Sequence, residues 1–309
     1  MNYVGLSAQI SRNNSRSILL LIAFPSVILF GVYTFFYFAF GGETAAVNET
    51  FISTIPWVIG AVGIWFLIAF ASHSSMIKMA TGSKSLERKE NMRIYNLTEN
   101  LCISVGMKMP KLRIVQSDAL NAFASGINEN TYTVTLTTGI IKALDDKELE
   151  SVIAHELTHI RNRDVRLLII SIIFVGILSF VVQLLFRSVL YGSGRRRSRN
   201  DKGSGQLIIV ALVVALVVYL LSILFKFALS RKREYMADAG AVDMTKDPLA
   251  MASALRKISG NSTLDLKSDD LKQAYIENPP AAKGAFSALT GLFATHPPIE
   301  KRIAFLEQM

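Results

Sequence analysis

Four apolar runs constrain this chain more than any other feature. Ser17–Phe40 and Phe51–Ser72 contain no charged residue. Each is long enough to cross a hydrocarbon core about 30 Å thick, which takes roughly 20 helical residues. Leu167–Phe186 and Leu207–Phe227 form a second pair, the latter interrupted only by Lys226 near its end. Only 18% of the 309 residues are charged, against about a quarter in a soluble domain, so the balance is that of a membrane protein. The first run is too long for a cleaved signal peptide, contains Pro25 and is followed closely by the second.

The runs divide the chain. A flank over 1–16 precedes a first span at 17–40, and a second span follows at 51–72. Residues 73–166 are of mixed composition. Hydrophobic helix 3 is expected over 167–190, a basic loop over 191–206 and hydrophobic helix 4 over 207–228, ahead of a polar region over 229–309. The two soluble pieces, 73–166 and 229–309, must fold together if they form one domain.

Lysine and arginine in the short flanks set the orientation. Arg12 and Arg16 precede the first run, the loop Gly41–Thr50 has two glutamates and no basic residue, and Lys78, Lys84, Arg88, Lys89 and Arg93 follow the second run. These place residues 1–16 and the mixed segment on the cytoplasmic side. The cluster Arg231-Lys232-Arg233 puts the last region there too. Arg195, Arg196, Arg197, Arg199 and Lys202 disagree, because two full crossings would send them outside. Either helices 3 and 4 span despite this penalty, or they form a hairpin that does not fully cross. Both options return Glu234 to the side of His155. The net charge of +9 therefore reads as membrane flanking, and no nucleic-acid partner is expected. The single cysteine, Cys102, excludes an internal disulfide and a cysteine-based metal cluster.

The stretch "DDKELESVIAHELTHIRNRD", residues 145–164, carries the chemistry. Asp145 can cap a helix, with Glu148 three positions later as in a capping box. Leu149, Val152, Ile153, Leu157 and Ile160 supply an apolar face. His155 and His159 then project from one side, one turn apart, with Glu156 beside them. Two imidazoles so placed can share a zinc ion, and a neighbouring carboxylate that is not a ligand can take a proton from an activated water. With four histidines and 13 glutamates in the chain, His-Glu-x-x-His should arise by chance about 0.002 times per shuffled sequence, so the pattern is specific.

A catalytic zinc needs a third protein ligand. The best candidate is in "RKREYMADAGAV", where Glu234 and Asp238 stand at i and i+4 on an expected helix. Glu234 can ligate while Asp238 accepts the ring N–H of a ligating histidine. Glu-x-x-x-Asp alone is usually a solvated helix face. Paired with the first motif and returned to the same side by a membrane hairpin, it completes the set.

"AHELTHIRNRD", "REYMADAGAV" and "THPPIEKRI" together resemble the HtpX family of membrane zinc metalloproteases, relatives of the CAAX prenyl proteases. The resemblance covers the chain from the first apolar run onward. It implies a mainly α membrane protein with four hydrophobic helices and a thermolysin-like zincin α+β catalytic domain. It also implies a multi-pass protein of the bacterial inner membrane, its catalytic domain facing the cytoplasm and its substrates damaged or misassembled membrane proteins. The family pattern carries over to His155, His159 and Glu234 as ligands of one Zn²⁺ per chain and to Glu156 as base. It points to Asn121, Ala122, Phe123 and Ala124, in "NAFASGINENTYTVTLTTGII", as the edge against which an extended substrate pairs. The turn residues around Gly126–Asn130 sit between the expected strands.

His296 reads either as a donor to the oxyanion of the tetrahedral intermediate or as a structural turn ahead of Pro297-Pro298. Asn162, Arg163 and Asp164 are expected to pin the end of the motif helix, and Arg302 is assigned no firmer role. No proline or glycine interrupts the chain from Asp145 to Val175, so the motif helix is expected to run on into the third apolar run. Three rival readings fit the sequence less well. A prenyl-protein protease would carry more membrane helices, a non-catalytic zinc adaptor would lack Glu156, and a zinc transporter would need ionisable residues inside the runs.

Overall fold

The computed structural model describes residues 6–174, 231–259 and 298–309, with isolated helical positions at 212, 215, 216 and 219. The basic loop, His296 and most of hydrophobic helices 3 and 4 lie outside the described residues. The chain forms two compact units. One comprises Met1–Asn14, Ser72–Ile169 and Phe227–Met309, the other Ser15–Ala71 and Ile170–Lys226.

The second unit is built on the greater part of two long helices, α1 (Leu6–Ala39) and α2 (Thr44–Thr81), of which the residues up to Asn14 and from Ser72 belong to the first unit. Both contain segments long and apolar enough to cross a membrane. No residue of the most apolar window of α2 is buried, and Trp57, Ile64, Leu67 and Ile68 are exposed. So much apolar surface facing outward is stable only against hydrocarbon. Phe174 stacks between Phe24 and Phe66, at 4.1 and 5.1 Å.

The expected ten-residue loop between these helices contracts to a turn. Gly41 and Gly42 adopt positive φ, Gly42 N–H donates to Tyr37 O at 2.8 Å and Gly41 N–H to Phe38 O at 3.3 Å. That is a Schellman C-cap, which needs a left-handed residue that glycine supplies without steric cost. α2 then starts at once, because Val47 gains full burial by entering its first turn.

In the first unit a four-stranded sheet has the order β1-β2-β4-β3. Its strands are β1 (Lys84–Ser85), β2 (Lys111–Val115), β3 (Ala122–Ser125) and β4 (Thr133–Thr137). β2 and β4 are parallel, while β3 and β4 form an antiparallel hairpin with Ala124 opposite Val134. β3 is therefore a sheet edge. Asn121 lies just before it, and Ala122, Phe123 and Ala124 lie within it. Helices α3 (Met92–Ser104) and α4 (Thr138–Ala143) precede the motif helix α5 (Asp146–Arg161). Later come α6 (Arg231–Thr245), α7 (Pro248–Ile258) and α8 (Ile299–Leu306).

α5 begins with a complete capping box: Asp145 accepts from Glu148 N–H, and the Glu148 carboxylate accepts from Asp145 N–H. Leu149, Val152, Ile153 and Leu157 are fully buried, each worth about 1.5–3 kcal/mol relative to exposure. The helix packs against β3, α3, α6 and α7. It does not run on into the third apolar run. Arg163 takes φ 60°, and residues 164–174 are helical again after the break. The interruption is held from outside the helix: Asn13 Nδ2 donates to Asn162 O at 2.8 Å, and Arg163 donates to Asn14 Oδ1 at 3.0 Å.

Candidate metal centre

Helical geometry brings His155 and His159 together. Their rings meet edge to face, and their Nε2 atoms lie 3.2 Å apart. α6 delivers the third group. Glu234 Oε2 is 3.6 Å from His155 Nε2, and Glu234 Oε1 is 3.5 Å from His159 Nε2. α5 and α6 approach this closely because Gly240 faces Thr158; a Cβ on Gly240 would sit 2.4 Å from Thr158 Cγ2. Thr158 cannot easily yield, since it is β-branched and its hydroxyl donates to Ala154 O at 2.8 Å.

The three side chains fit a metal ion. Two ligand atoms each about 2.0–2.1 Å from a tetrahedral zinc lie about 3.3–3.4 Å apart. The two Nε2 atoms lie 3.2 Å apart and each faces a different Glu234 oxygen, His159 Nε2 at 3.5 Å from Oε1 and His155 Nε2 at 3.6 Å from Oε2. One ligand atom from each residue lies within 4.8 Å of the others. The hydrogen-bond pattern agrees with this. His155 Nδ1 faces Asp238 Oδ1 at 3.0 Å, at a bent approach, and His159 Nδ1 faces Asp164 Oδ2 at 3.1 Å. A carboxylate at each Nδ1 holds the proton there and leaves the Nε2 lone pairs facing each other and a third carboxylate. Two lone pairs and a carboxylate so arranged repel unless a cation or proton lies among them. Burial alone would push the His155 imidazole down, yet Asp238 and Glu234 outweigh it and hold the ring up to about 9.

Asp238, fully buried, would be raised by desolvation, but the Arg302 guanidinium holds it below the usual carboxylate range. Arg302, on α8 and itself fully buried, grips that carboxylate with two bonds, Nε to Oδ2 at 2.9 Å and Nη2 to Oδ1 at 2.6 Å. Its Nη1 lies 3.5 Å from Glu234 Oε2. Glu156 is buried beside the triangle. Desolvation raises its carboxyl above the ordinary range, although His155 and His159 and a hydrogen bond from the backbone N–H of Ala124 oppose the rise. The edge strand β3 is thereby tied to Glu156.

The structure therefore brings together His155, Glu156, His159, Glu234 and Asp238, with Ala124 against Glu156. Two further residues belong to the cluster. Asp164, read from the sequence only as a helix terminator, also faces a ring nitrogen. Arg302, left open by the sequence, neutralises Asp238. Its place in "THPPIEKRI", one of the three motifs, was the only signal pointing to it.

Residues 88–309 match the protein family described as Peptidase family M48. Membership of that family implies a bound metal. Together with the two membrane-length helices, it makes the chain a membrane metallopeptidase. A relative from Bacteroides fragilis named Protease HtpX homolog is 58% identical over the full length of both chains. Another of that name from Lactobacillus helveticus is 33% identical over 98% of this chain and all of its own. The crystal structure of S. mikatae Ste24p shares the fold at a TM-score of 0.51 and 18% identity, covering 96% of this chain; the chain spans 66% of that protein. The chain belongs to peptidase family M48, in its HtpX branch.

Proposed function

We propose that this chain is a zinc-dependent endopeptidase of the bacterial inner membrane that hydrolyses damaged or misassembled membrane proteins at the cytoplasmic surface. The observation that carries the reading is the cluster of His155, His159 and Glu234, with one ligand atom from each within 4.8 Å of the others and the Glu156 carboxyl buried beside it. Zinc bound there would supply Lewis acidity, polarising the scissile carbonyl and acidifying water. Asp238 and Asp164 fix the two imidazoles through their Nδ1 atoms. Glu156 accepts a proton from water as the water oxygen bonds to the scissile carbon, then passes that proton to the amide nitrogen as the C–N bond breaks. Burial raises its carboxyl above the ordinary carboxylate range, which makes it a stronger proton acceptor than an exposed glutamate. An extended substrate pairs along Asn121–Ala124, and His296 donates to the developing oxyanion. We read the soluble pieces as one thermolysin-like zincin domain and the four apolar runs as helices of a multi-pass anchor. The basic flanks of the first two runs support the cytoplasmic orientation.

The test compares the parent with Glu156→Gln and Glu234→Ala for zinc content and for cleavage of a casein-type substrate, with and without chelator. The parent should hold one zinc and lose cleavage with chelator. Glu156→Gln should keep the metal while cleavage falls by about 10²–10⁴-fold, the usual contribution of a general base. Glu234→Ala should lose the metal. Cleavage persisting in Glu156→Gln would remove that residue from the mechanism. For the substrate class, a misfolded membrane protein and a soluble unfolded one are compared; equal rates would count against the proposed location.

A further inference from the structure

Asn13 is a buried polar residue that the chemistry above does not use. It lies on α1 just before the uncharged run begins, within the same compact unit as the metal triangle, and is fully buried. A buried amide is costly unless hydrogen-bonded. Its Nδ2 donates twice, both times into the break that ends α5: to Asn162 O at 2.8 Å and to Asp164 Oδ1 at 2.7 Å. Both partners are acceptors, so the amide nitrogen, with its two hydrogens, is the atom that must face them. The other oxygen of the same carboxylate lies 3.1 Å from His159 Nδ1. A carboxylate held at Oδ1 presents Oδ2 in one direction, and the imidazole turns to meet it.

We infer that Asn13 is a positioning residue for the metal centre, acting through Asp164 on the orientation of His159. The beginning of the first membrane-length helix thus contributes to metal binding from 151 residues before Asp164. This inference rests on the zinc reading above. A role confined to docking α1 is the competing explanation. Asn14, which accepts from Arg163 at 3.0 Å, shares the docking but touches neither Asp164 nor a ligand in the described contacts.

The experiment measures zinc affinity of the full chain in detergent, by competition with a chromophoric chelator, and the visible spectrum of the Co²⁺-substituted protein. Loss of a direct partner of a ligating histidine costs about 10–100-fold in affinity. Asn13 stands one bond further out, so Asn13→Ala should weaken zinc about 3- to 10-fold and shift the Co²⁺ bands, while Asn14→Ala changes neither. In an Asp164→Asn background, Asn13→Ala should add less than about twofold, because the path already lacks its carboxylate. Asn13→Leu, which keeps the number and branching of the side-chain heavy atoms, replaces Asn13→Ala if the smaller side chain unfolds the protein. Unchanged affinity and spectrum, an equal loss in Asn14→Ala, or full additivity with Asp164→Asn would each overturn the inference. A parent that binds no zinc, or a His159→Ala variant that binds it as well as the parent, would remove the zinc reading and this inference with it. Tight, His159-dependent binding that ignores Asn13 would remove the inference alone.

Discussion

Replacing Arg302 with methionine tests the electrostatic design of the centre. The substitution keeps an unbranched side chain but deletes the cation that holds Asp238 through two bonds and approaches Glu234. Arg302 and Asp238 are both fully buried, so water cannot replace the lost partner. Removing one member of a buried ion pair costs about 3–5 kcal/mol, because the remaining charge is left uncompensated. For a domain of 150–250 residues, each kcal/mol moves the unfolding midpoint by about 2–4 °C, giving a drop of about 6–20 °C. The assay is thermal unfolding of the purified chain with zinc in excess. Asp238→Asn in the same chain removes the orphaned charge and should recover at least half of the loss, since deleting both partners of a pair costs far less than deleting one. A single variant that unfolds within about 3 °C of the parent would refute the reasoning, as would a double variant no more stable than the single one.

Two further outcomes follow from the packing and the charges. Gly240→Ala should destabilise the protein by about 1–3 kcal/mol and weaken zinc binding, because the new methyl group meets Thr158 Cγ2 at 2.4 Å and pushes α6, with Glu234, away from α5. Thr158→Ala removes that methyl together with the hydroxyl oxygen, which the new Cβ would meet at 2.8 Å, and should restore most of both in the double variant. Glu148 is nearly buried, and desolvation would raise it, but Lys257 at 2.6 Å and Ser253 at 2.7 Å hold its carboxyl below the ordinary value. Its stabilising contribution is complete above an unfolded-state pKa of about 4.3 and is lost as pH falls through the lower folded-state value. Lys257→Met raises that folded-state value, so the acid-unfolding midpoint should move to higher pH. The loss near neutrality should be no more than about 1 kcal/mol, since Lys257 is substantially exposed.

Much of what depends on neighbours along the chain was legible in the sequence, although the glycine cap at Gly41 and Gly42 was not. The capping box at Asp145 and Glu148, the helical face that projects His155 and His159 together, and the placement of Glu234 and Asp238 on one helix follow from a repeat of 3.6 residues per turn. The two apolar helices follow in the same way, because a run of some twenty uncharged residues has few other stable environments. The tertiary structure decided what depends on partners distant in sequence. Arg163 adopts φ 60° in a stretch without glycine or proline, since bonds from Asn13 and to Asn14 hold the break. Asp164 turns toward His159, and Arg302 reaches Asp238 across 64 residues. Such contacts form because each buried charge or amide must find a partner somewhere in the fold. Local periodicity states that need without saying which distant residue will meet it.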